Sequence, residues 1–525
     1  MITHLASLVA LTAALTGAGG GPSPAGSFET PAEPAACGKI DELVFASLKR
    51  LGLRPANLCS DAVFVRRVYL DAIGTVPTAD ETRQFLADRS ANKRAALIDR
   101  LLERKEFADY WAMKWGDLLR VKAEFPIKLW PLAAQVYHRW IHTSIQQNKP
   151  YDRFVRELLT ESGSNFAAPP VNFYRAMQNR EPPGVAQAVA LTFMGSRIES
   201  WPKDRSAGMA AFFAQIAYKS TAEWKEEIVF FDPEKAVADG KGSSAAVLPD
   251  GTRVELPRGK DPRQVFADWL IKPENPWFAR NIVNRIWYWL LGRGIIHEPD
   301  DIRANNPPAI PELLAWLEHE LAASHYDLKH IYRSILNSQT YQLSPLPRSD
   351  AAKGETQFAY YPVRRLEAEV LIDALNQITG TREEYSSGIP EPFTFIPEEQ
   401  RSITLADGSI SSPFLELFGR PPRDSGLESE RNNRSTAAQS LHLLNSTHVY
   451  WKITHSRGLH GLALSGKSLR EIADELYLTI LSRPPTEDEL KTMEAYAKTG
   501  VAKQGEIPVD LAWALINCAE FLYRH

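Results

Sequence analysis

The densest group of side chains that could do chemistry lies in one short stretch near residue 425. Its members are Arg420, Arg423, Asp424, Glu428, Glu430, Arg431 and Arg434. Carboxylates can exchange protons with a substrate, and the planar guanidinium of arginine binds anionic groups through two parallel hydrogen bonds. The stretch follows a loop-rich region, residues 384–413, that is interrupted by prolines. It is therefore either part of a ligand site or a solvated loop whose charges pair with one another.

A second polar group lies in a turn between two apolar helices. It comprises Asp300, Asp301, Arg303 and Asn306. Adjacent carboxylates could serve as general acid and base, and carboxylate and amide oxygens could hold a hard cation. Short runs of Asp and Asn next to helices also cap helix ends and order loops. Capping and loop ordering are the roles that this composition favours.

Arg66, Arg67 and Asp71 form a third charged group, in a segment that leads to the turn before Thr78. Arg67 and Asp71 are four residues apart, so they can pair on one face of a helix. We expect a structural ion pair that holds the turn. The alternative is an arginine clamp for a carboxylate of a substrate or partner.

The three cysteines, Cys37, Cys59 and Cys518, do not form a CxxCH motif, which excludes covalent haem c. Cys37 and Cys59 flank the first predicted helix and could form a disulfide in an oxidising compartment. Cys518 lies in an apolar C-terminal segment, which favours a buried free thiol. His319 and His325 are six residues apart, whereas a helical zinc site uses a spacing of four. The sequence therefore predicts neither a metal site nor a cofactor.

The chain has 525 residues, 44% of them hydrophobic and 24% charged, which is usual for globular proteins of two or three domains. The formal net charge is -4 and basic residues are spread along the chain, which argues against a nucleic-acid partner. No apolar run reaches the roughly 18 residues of a membrane span. Residues 1–28 combine an apolar stretch with small residues after it, as export signals do, so we expect a protein of the periplasm or cell surface.

Helical periodicity dominates the pattern and predicts a mainly α fold, with two helical domains joined by a small β-hairpin segment. The predicted limits are 38–224 for the first domain, 225–260 for the linker with its hairpin, 261–500 for the second domain and 501–525 for a C-terminal helix. Thr78 with Glu81, and Thr486 with Glu489, have the spacing of capping boxes and should begin helices. A turn at residues 249–252 between two short apolar runs predicts the hairpin.

Several motifs of the chain resemble those of known domains. They include Arg66-Arg-Val-Tyr-Leu-Asp71, Trp111-Ala-Met-Lys-Trp115-Gly-Asp117, Asn281-Ile-Val-Asn284-Arg285-Ile-Trp287 and Phe418-Gly-Arg-Pro421. The first two are similar to the domain called PSCyt-two, from a planctomycete family associated with cytochrome c, and the last two are similar to its usual neighbour, PSD-one. The resemblance covers roughly residues 38–500. It implies an exported protein of a family known mainly as domains of unknown function.

Two cysteine sites that are common in this family are missing from the chain. Relatives often carry CxxCH after a Phe-Leu-Gly run, where this chain has Phe193-Met-Gly195, and Cys-x-Cys before Glu-Arg, where it has Leu427-Glu-Ser429. The joint loss suggests that both sites form one haem- or metal-related site in relatives. The resemblance then implies that the two segments meet at a pocket. Its candidate residues are Arg197, Trp201, Asp204, Arg420, Arg423, Glu428, Glu430 and Arg431.

Three functions are compatible with these observations, and the sequence leaves open whether the chain is an enzyme. The absence of CxxCH and of a complete catalytic motif favours a non-haem binding or scaffold protein of the bacterial envelope, with an unknown protein or carbohydrate partner. Exposed members of the 13 tryptophans would suit stacking on sugars. The first alternative is a hydrolase or lyase of an exported polysaccharide, with acids and arginines in a cleft between the domains. The second is an electron-transfer partner of cytochrome c domains.

Overall fold

A computed structural model describes residues 28–235, 245–257, 259–500 and 505–525, and these ranges are mainly helical, as predicted. The export-like segment, residues 1–28, lies outside them except for its last residue. Within the described ranges, no helix is both long and apolar enough to cross a membrane.

The first predicted domain is built from helices α1 to α10. Their bounds are α1 Lys39–Arg50, α2 Asp61–Ile73, α3 Ala79–Ala87, α4 Lys93–Glu103, α5 Lys105–Leu118, α6 Pro131–Gln146, α7 Tyr151–Thr160, α8 Asn172–Arg175, α9 Pro182–Met194 and α10 Lys203–Ala210. The second predicted domain and the C-terminal segment contain helices α11 to α24. Their bounds are α11 Pro262–Leu270, α12 Phe278–Leu291, α13 Pro311–Ala323, α14 Leu328–Asn337, α15 Ala351–Thr356, α16 Ala368–Thr379, α17 Pro413–Leu417, α18 Ala437–Asn445, α19 Thr447–Thr454, α20 Arg457–Ala463, α21 Leu469–Leu481, α22 Glu487–Lys498, α23 Ile507–Ile516 and α24 Ala519–Leu522.

Both predicted capping boxes are present. The Thr78 hydroxyl accepts a hydrogen bond from the Glu81 amide at 3.2 Å, and the Glu81 carboxylate accepts one from the Thr78 amide at 2.8 Å. Thr486 and Glu489 make the same pair of contacts at the start of α22. These contacts satisfy amide groups that a helix start leaves without partners, which fixes where α3 and α22 begin.

The predicted hairpin is also present, as an antiparallel pair of strands β4 Ala245–Val247 and β5 Arg253–Glu255. A separate antiparallel sheet has the order β1-β3-β2, where β1 is Gly163–Ser164, β2 is Ile216–Ser220 and β3 is Glu227–Phe231. Because β3 pairs with two strands of the first domain, the start of the predicted linker is part of that domain's sheet.

One hydrophobic core extends through both predicted domains. At its centre, the Trp111 ring of α5 lies 5.3 Å from the Trp289 ring of α12 and 4.4 Å from the Tyr332 ring of α14. Close aromatic packing of this kind contributes strongly to core stability. The two halves of the chain are therefore packed against each other rather than linked loosely.

The predicted ion pair between Arg67 and Asp71 is wrong. The Arg67 guanidinium donates to the backbone carbonyls of Tyr341, Leu343 and His525 at 2.6–2.9 Å. Asp71 accepts hydrogen bonds from other partners, described below. Helical spacing permitted the pair, but both side chains are buried and reach across to the second half of the chain. The group is therefore structural, as expected, but its hydrogen-bond partners differ from the predicted ones.

The predicted C-terminal helix is shorter than expected. It comprises α23 and the single turn α24, and the chain then continues as strand β7, Tyr523–Arg524, which pairs antiparallel with β6, Arg364–Arg365. Residues 501–504 lie outside the described ranges. The extended backbone at Arg524 carries its guanidinium into the interior, where two carboxylates bind it.

The predicted disulfide between Cys37 and Cys59 is not formed, and both residues are free thiols. The Cys37 thiol donates to a carboxylate oxygen of Asp41 at 3.0 Å, whereas Cys59 is buried beside the Arg94 guanidinium. Each sulfur is directed to its own polar neighbour. Cys518 is a buried free thiol, as expected.

Candidate functional site

Asp117, in the last turn of α5, binds two arginines of the stretch near residue 425. The Arg423 Nε donates to Oδ1 at 2.8 Å, and the Arg431 Nη2 donates to Oδ2 at 2.6 Å. A Cβ at Gly116 would lie 3.1 Å from the Arg423 guanidinium carbon, so the absence of a side chain at Gly116 leaves room for it. The arginine segment is thus docked against the first domain.

Glu369, in the first turn of α16, binds the other side of the same arginine. The Arg431 Nη1 and Nη2 donate to its two carboxylate oxygens at 2.7 and 3.0 Å, and the Arg420 Nε lies 3.5 Å away. Burial alone would raise the pKa of Asp117 and Glu369, but Arg431 and the second arginine beside each carboxylate outweigh it and lower both pKa values. Both groups are therefore held as carboxylates.

Glu428 and Asp300 meet through Arg285, which lies on α12 and is fully buried. The Arg285 guanidinium donates to Asp300 at 2.6 Å and to Glu428 at 3.4 Å, and the Trp289 Nε1 donates to Glu428 at 3.0 Å. The Glu428 amide also donates to Asp300 at 2.7 Å. Burial and the nearby Asp300 raise the pKa of Glu428 against the opposing effect of Lys114 and Arg285. Two charged groups that the sequence presented as separate are therefore in contact.

A further chain of buried charges continues to the C-terminal strand. The Lys114 Nζ donates to Glu367 at 2.8 Å, and Arg524 donates both to Glu367 and, at 2.9 Å, to Asp71. The Tyr341 and Tyr361 hydroxyls donate to the second oxygen of Asp71 at 2.9 and 2.7 Å. We call the whole set the charge network. It comprises Asp71, Lys114, Asp117, Arg285, Asp300, Glu367, Glu369, Arg420, Arg423, Glu428, Arg431 and Arg524.

A narrow cleft adjoins Lys114, Asp117, Glu428 and Arg431. It has room for about one water molecule. The charge network is therefore a packed interior, in which guanidinium and carboxylate groups use one another as partners.

The structure does not assemble the predicted eight-residue pocket. Arg197 and Asp204 are exposed and Trp201 is half-buried, and within the described residues no hydrogen bond or ion pair joins them to residues 420–431. The backbone of this segment does come close, since Ser196 donates to the Ile302 carbonyl at 2.8 Å, two residues from Asp300. The side chains diverge because the arginines turn inward to Asp117 and Glu369.

The remaining predicted residues order loops. Glu430 accepts hydrogen bonds from the amides of Asp424 and Ser425 at 3.2 and 2.6 Å. Asp301 pairs with Arg303 at 3.1 Å, and the Asn306 side chain donates to the carbonyls of His297 and Asp301, both at 2.9 Å. Except for Asp300, the 300–306 group therefore has the loop-ordering role that its composition favoured.

Sequence reasoning missed half of the charge network. The missed residues are Lys114, Asp117, Arg285, Glu367, Glu369 and Arg524. The first three stand in the motifs that carry the family resemblance, each as a charge within an aromatic or apolar helix. That pattern signals a buried ion pair, because a charge in a core requires a partner, but it does not identify the partner.

A wider cleft of about 670 Å³ opens between the turn before α3 and helix α16. At its wall, Asp373 is buried and accepts backbone hydrogen bonds from Ser402 at 2.7 Å and Ile403 at 3.2 Å. Arg401 lies 3.5 Å from the carboxylate. Burial outweighs these contacts and raises the pKa of Asp373 to about 6. Within the described ranges, no three His, Cys, Asp or Glu side chains are grouped so that they could hold a metal ion.

Comparison with known proteins places both halves of the chain in families. Residues 39–216 match PSCyt2, described as a protein of unknown function (DUF1549), and residues 262–497 match PSD1, described as a protein of unknown function (DUF1553). The order of the two matches is the order that the resemblance implied. This chain is a PSCyt2–PSD1 protein. No curated protein and no solved structure matches it.

The charge network of this PSCyt2–PSD1 protein crosses from one family domain to the other. Lys114 and Asp117 belong to the PSCyt2 domain, while Glu367, Glu369 and Arg431 belong to the PSD1 domain. Their mutual contacts join the two domains through buried charges, in addition to the shared hydrophobic core.

Proposed function

We propose that this PSCyt2–PSD1 protein is an exported, non-haem binding or scaffold protein of the bacterial envelope. The observation that carries the proposal is the mutual pairing of Asp117, Glu369, Arg423 and Arg431. Each carboxylate oxygen of the two acids accepts an arginine N–H. A general acid or base must reach its substrate and change protonation near the working pH. These buried carboxylates with lowered pKa values are suited to hold the domains together.

Export is supported by residues 1–28, in which an apolar stretch precedes a run of small residues. The non-haem part of the proposal is supported by the absence of CxxCH and by the contacts of the segment in which the resemblance implies a second cysteine site for relatives. There, Glu428 and Glu430 are engaged with Asp300, Arg285 and nearby backbone amides. Both glutamates therefore already have partners within the protein.

The test is expression of the full chain in a host that exports proteins and attaches haem c. We expect the protein in the periplasmic or surface fraction, with no covalent haem in its absorption spectrum. The immobilised protein should retain a component of an envelope extract and should release no new reducing or unsaturated sugar ends from envelope polysaccharides. Covalently bound haem, or catalytic release of sugar ends, would contradict the proposal.

A hydrolase or lyase acting on a polysaccharide is the second candidate, because of Asp373. This carboxyl has a pKa raised to about 6 and lies at the wall of a cleft that also presents Arg104, Glu106 and Arg401. A carboxyl that titrates near neutral pH can serve as a general acid. On this hypothesis Asp373→Asn abolishes release of sugar ends, whereas Asp301→Asn, a change in a surface ion pair, leaves it intact.

A further inference from the structure

Three aromatic side chains from distant segments meet on the surface. Trp130 precedes α6, Trp224 lies in the turn between β2 and β3, and Phe393 belongs to the 384–413 loop of the PSD1 domain. The Trp130 ring centroid lies 6.2 Å from that of Trp224 and 5.3 Å from that of Phe393. Trp224 is 63% exposed and Phe393 is 49% exposed. Large aromatic rings are normally buried, so a contiguous exposed group indicates an interaction site.

Hydrogen bonds join the loop that carries Trp130 to the loop that carries Phe393. The Glu124 carboxylate accepts hydrogen bonds from the Gly388 amide at 2.9 Å and the Ser387 hydroxyl at 3.3 Å. Two more exposed rings lie on the same loops, Phe125 at 74% and Phe395 at 66%. We call the three rings that are in contact, Trp130, Trp224 and Phe393, the aromatic platform.

Two lysines accompany the rings. The Lys225 ammonium lies 5.0 Å from the ring centroids of both Trp130 and Trp224, and the Lys128 ammonium lies 5.3 Å from that of Phe125. Within the described residues, neither lysine has a carboxylate partner, whereas Lys122 nearby in sequence is paired with Asp424. The platform therefore combines apolar ring faces with the positive charge of Lys225, which an anionic ligand can neutralise, and Lys128 adds a second positive charge on the loop that carries Trp130.

We propose that the aromatic platform binds an acidic oligosaccharide, with sugar rings against Trp224 and Phe393 and a carboxylate or sulfate group at Lys225. The C–H face of a pyranose is attracted to the negative face of an aromatic ring, and the rigid indole loses little entropy on binding. Glu223 and Glu391 are exposed and lie within two residues of Trp224 and Phe393 in sequence. We therefore place the anionic group of the ligand at Lys225, whose ammonium contacts both tryptophan rings. This inference rests on the proposed binding function and specifies its ligand class and site.

The test uses the full chain in native gels that contain alginate, chondroitin sulfate or neutral dextran, with dissociation constants from calorimetry on matching oligosaccharides. The acidic polymers should retard the protein and dextran should not. Trp224→Ala should weaken binding at least tenfold. Lys225→Ala should weaken it several-fold and reduce its dependence on salt, because one ion contact is lost. Both side chains are exposed, so the melting temperature should stay unchanged.

The matched control is Trp451→Ala, which removes another exposed tryptophan, 53% exposed, on helix α19. It should bind like the wild type. Equal affinity for dextran, unchanged binding by Trp224→Ala, or no binding to any polymer would overturn the platform assignment. Retention of an envelope protein alone would overturn it too, yet would leave the proposed binding function standing. Cleavage of a polymer with binding abolished by Trp224→Ala would instead support the platform and overturn the non-catalytic function.

Discussion

The charge network and the cleft beside Asp373 both lie where the PSCyt2 and PSD1 domains meet, but the pKa values of Asp117 and Glu369 in the network and of Asp373 in the cleft are shifted in opposite directions. Asp117 and Glu369 each have two arginines within 3.5 Å, and their pKa values are lowered. Asp373 has one arginine at 3.5 Å and two backbone amides, and its pKa is raised to about 6. Burial opposes ionisation in all three. The number and distance of guanidinium groups therefore decide which acids are structural and which can titrate near neutral pH.

The largest effect should follow from removing the arginine shared by Asp117 and Glu369. Arg431→Ala leaves two buried carboxylates with fewer partners, and breaking a buried ion pair costs about 3–5 kcal/mol. We expect the free energy of unfolding, measured by urea denaturation, to fall by about this amount. Arg434→Ala, in the same segment but exposed, is the control and should change it by less than about 0.5 kcal/mol. A loss below about 1 kcal/mol for Arg431→Ala would show that the network does not hold the domains.

The two regions should also respond to pH with opposite signs. The pKa of Asp373 is raised in the folded state, so its contribution to stability is fully present below its ordinary value of 3.8 and is lost as the pH rises through about 6. The pKa values of Asp117 and Glu369 are lowered, so their contribution is present above the ordinary carboxyl range and is lost as the pH falls through the lowered values.

The variant Asp373→Asn measures the part of the pH dependence of stability that is due to Asp373. The unfolding free energy of the wild type minus that of the variant should fall by about 2 kcal/mol between pH 4 and pH 7.5, since one pKa unit corresponds to about 1.4 kcal/mol. Urea denaturation at several pH values measures it. A difference that is independent of pH would mean that the pKa of Asp373 is the same in the folded and unfolded states, so that burial does not raise it.

Structural features that depend on local spacing could be predicted from the sequence, whereas contacts between residues far apart in the chain could not. The capping boxes at Thr78 and Thr486 and the 245–255 hairpin were predictable, because each forms within a few residues. Arg67 was correctly placed on a helix and expected to be structural, yet its partners were wrong, since its acceptors lie more than 270 residues away. The same holds for Asp117 and Arg431, which are 314 residues apart. The aromatic platform could not be predicted from the sequence, because its rings come from three separate segments.

Neutralising Glu428 should have the smallest effect on the free energy of unfolding. This variant tests which of the two partners of Arg285, Asp300 or Glu428, contributes more to stability. Arg285 donates to Asp300 at 2.6 Å and only at 3.4 Å to Glu428, so Asp300 remains its main partner in Glu428→Gln. The amide oxygen of Gln can still accept from the Trp289 Nε1. We expect a loss of about 1 kcal/mol or less in unfolding free energy, the usual net value of one hydrogen bond.

Asp300→Asn is the matched comparison for that prediction, because it removes the charge that Arg285 contacts most closely. Arg285 is fully buried, so this variant should be less stable than Glu428→Gln by more than about 1 kcal/mol in the same denaturation measurement. If the two variants lose equal stability, Glu428 is as strongly coupled to Arg285 as Asp300 is. The raised pKa of Glu428 would then not mean that Glu428 is bound less strongly than the other carboxylates of the network.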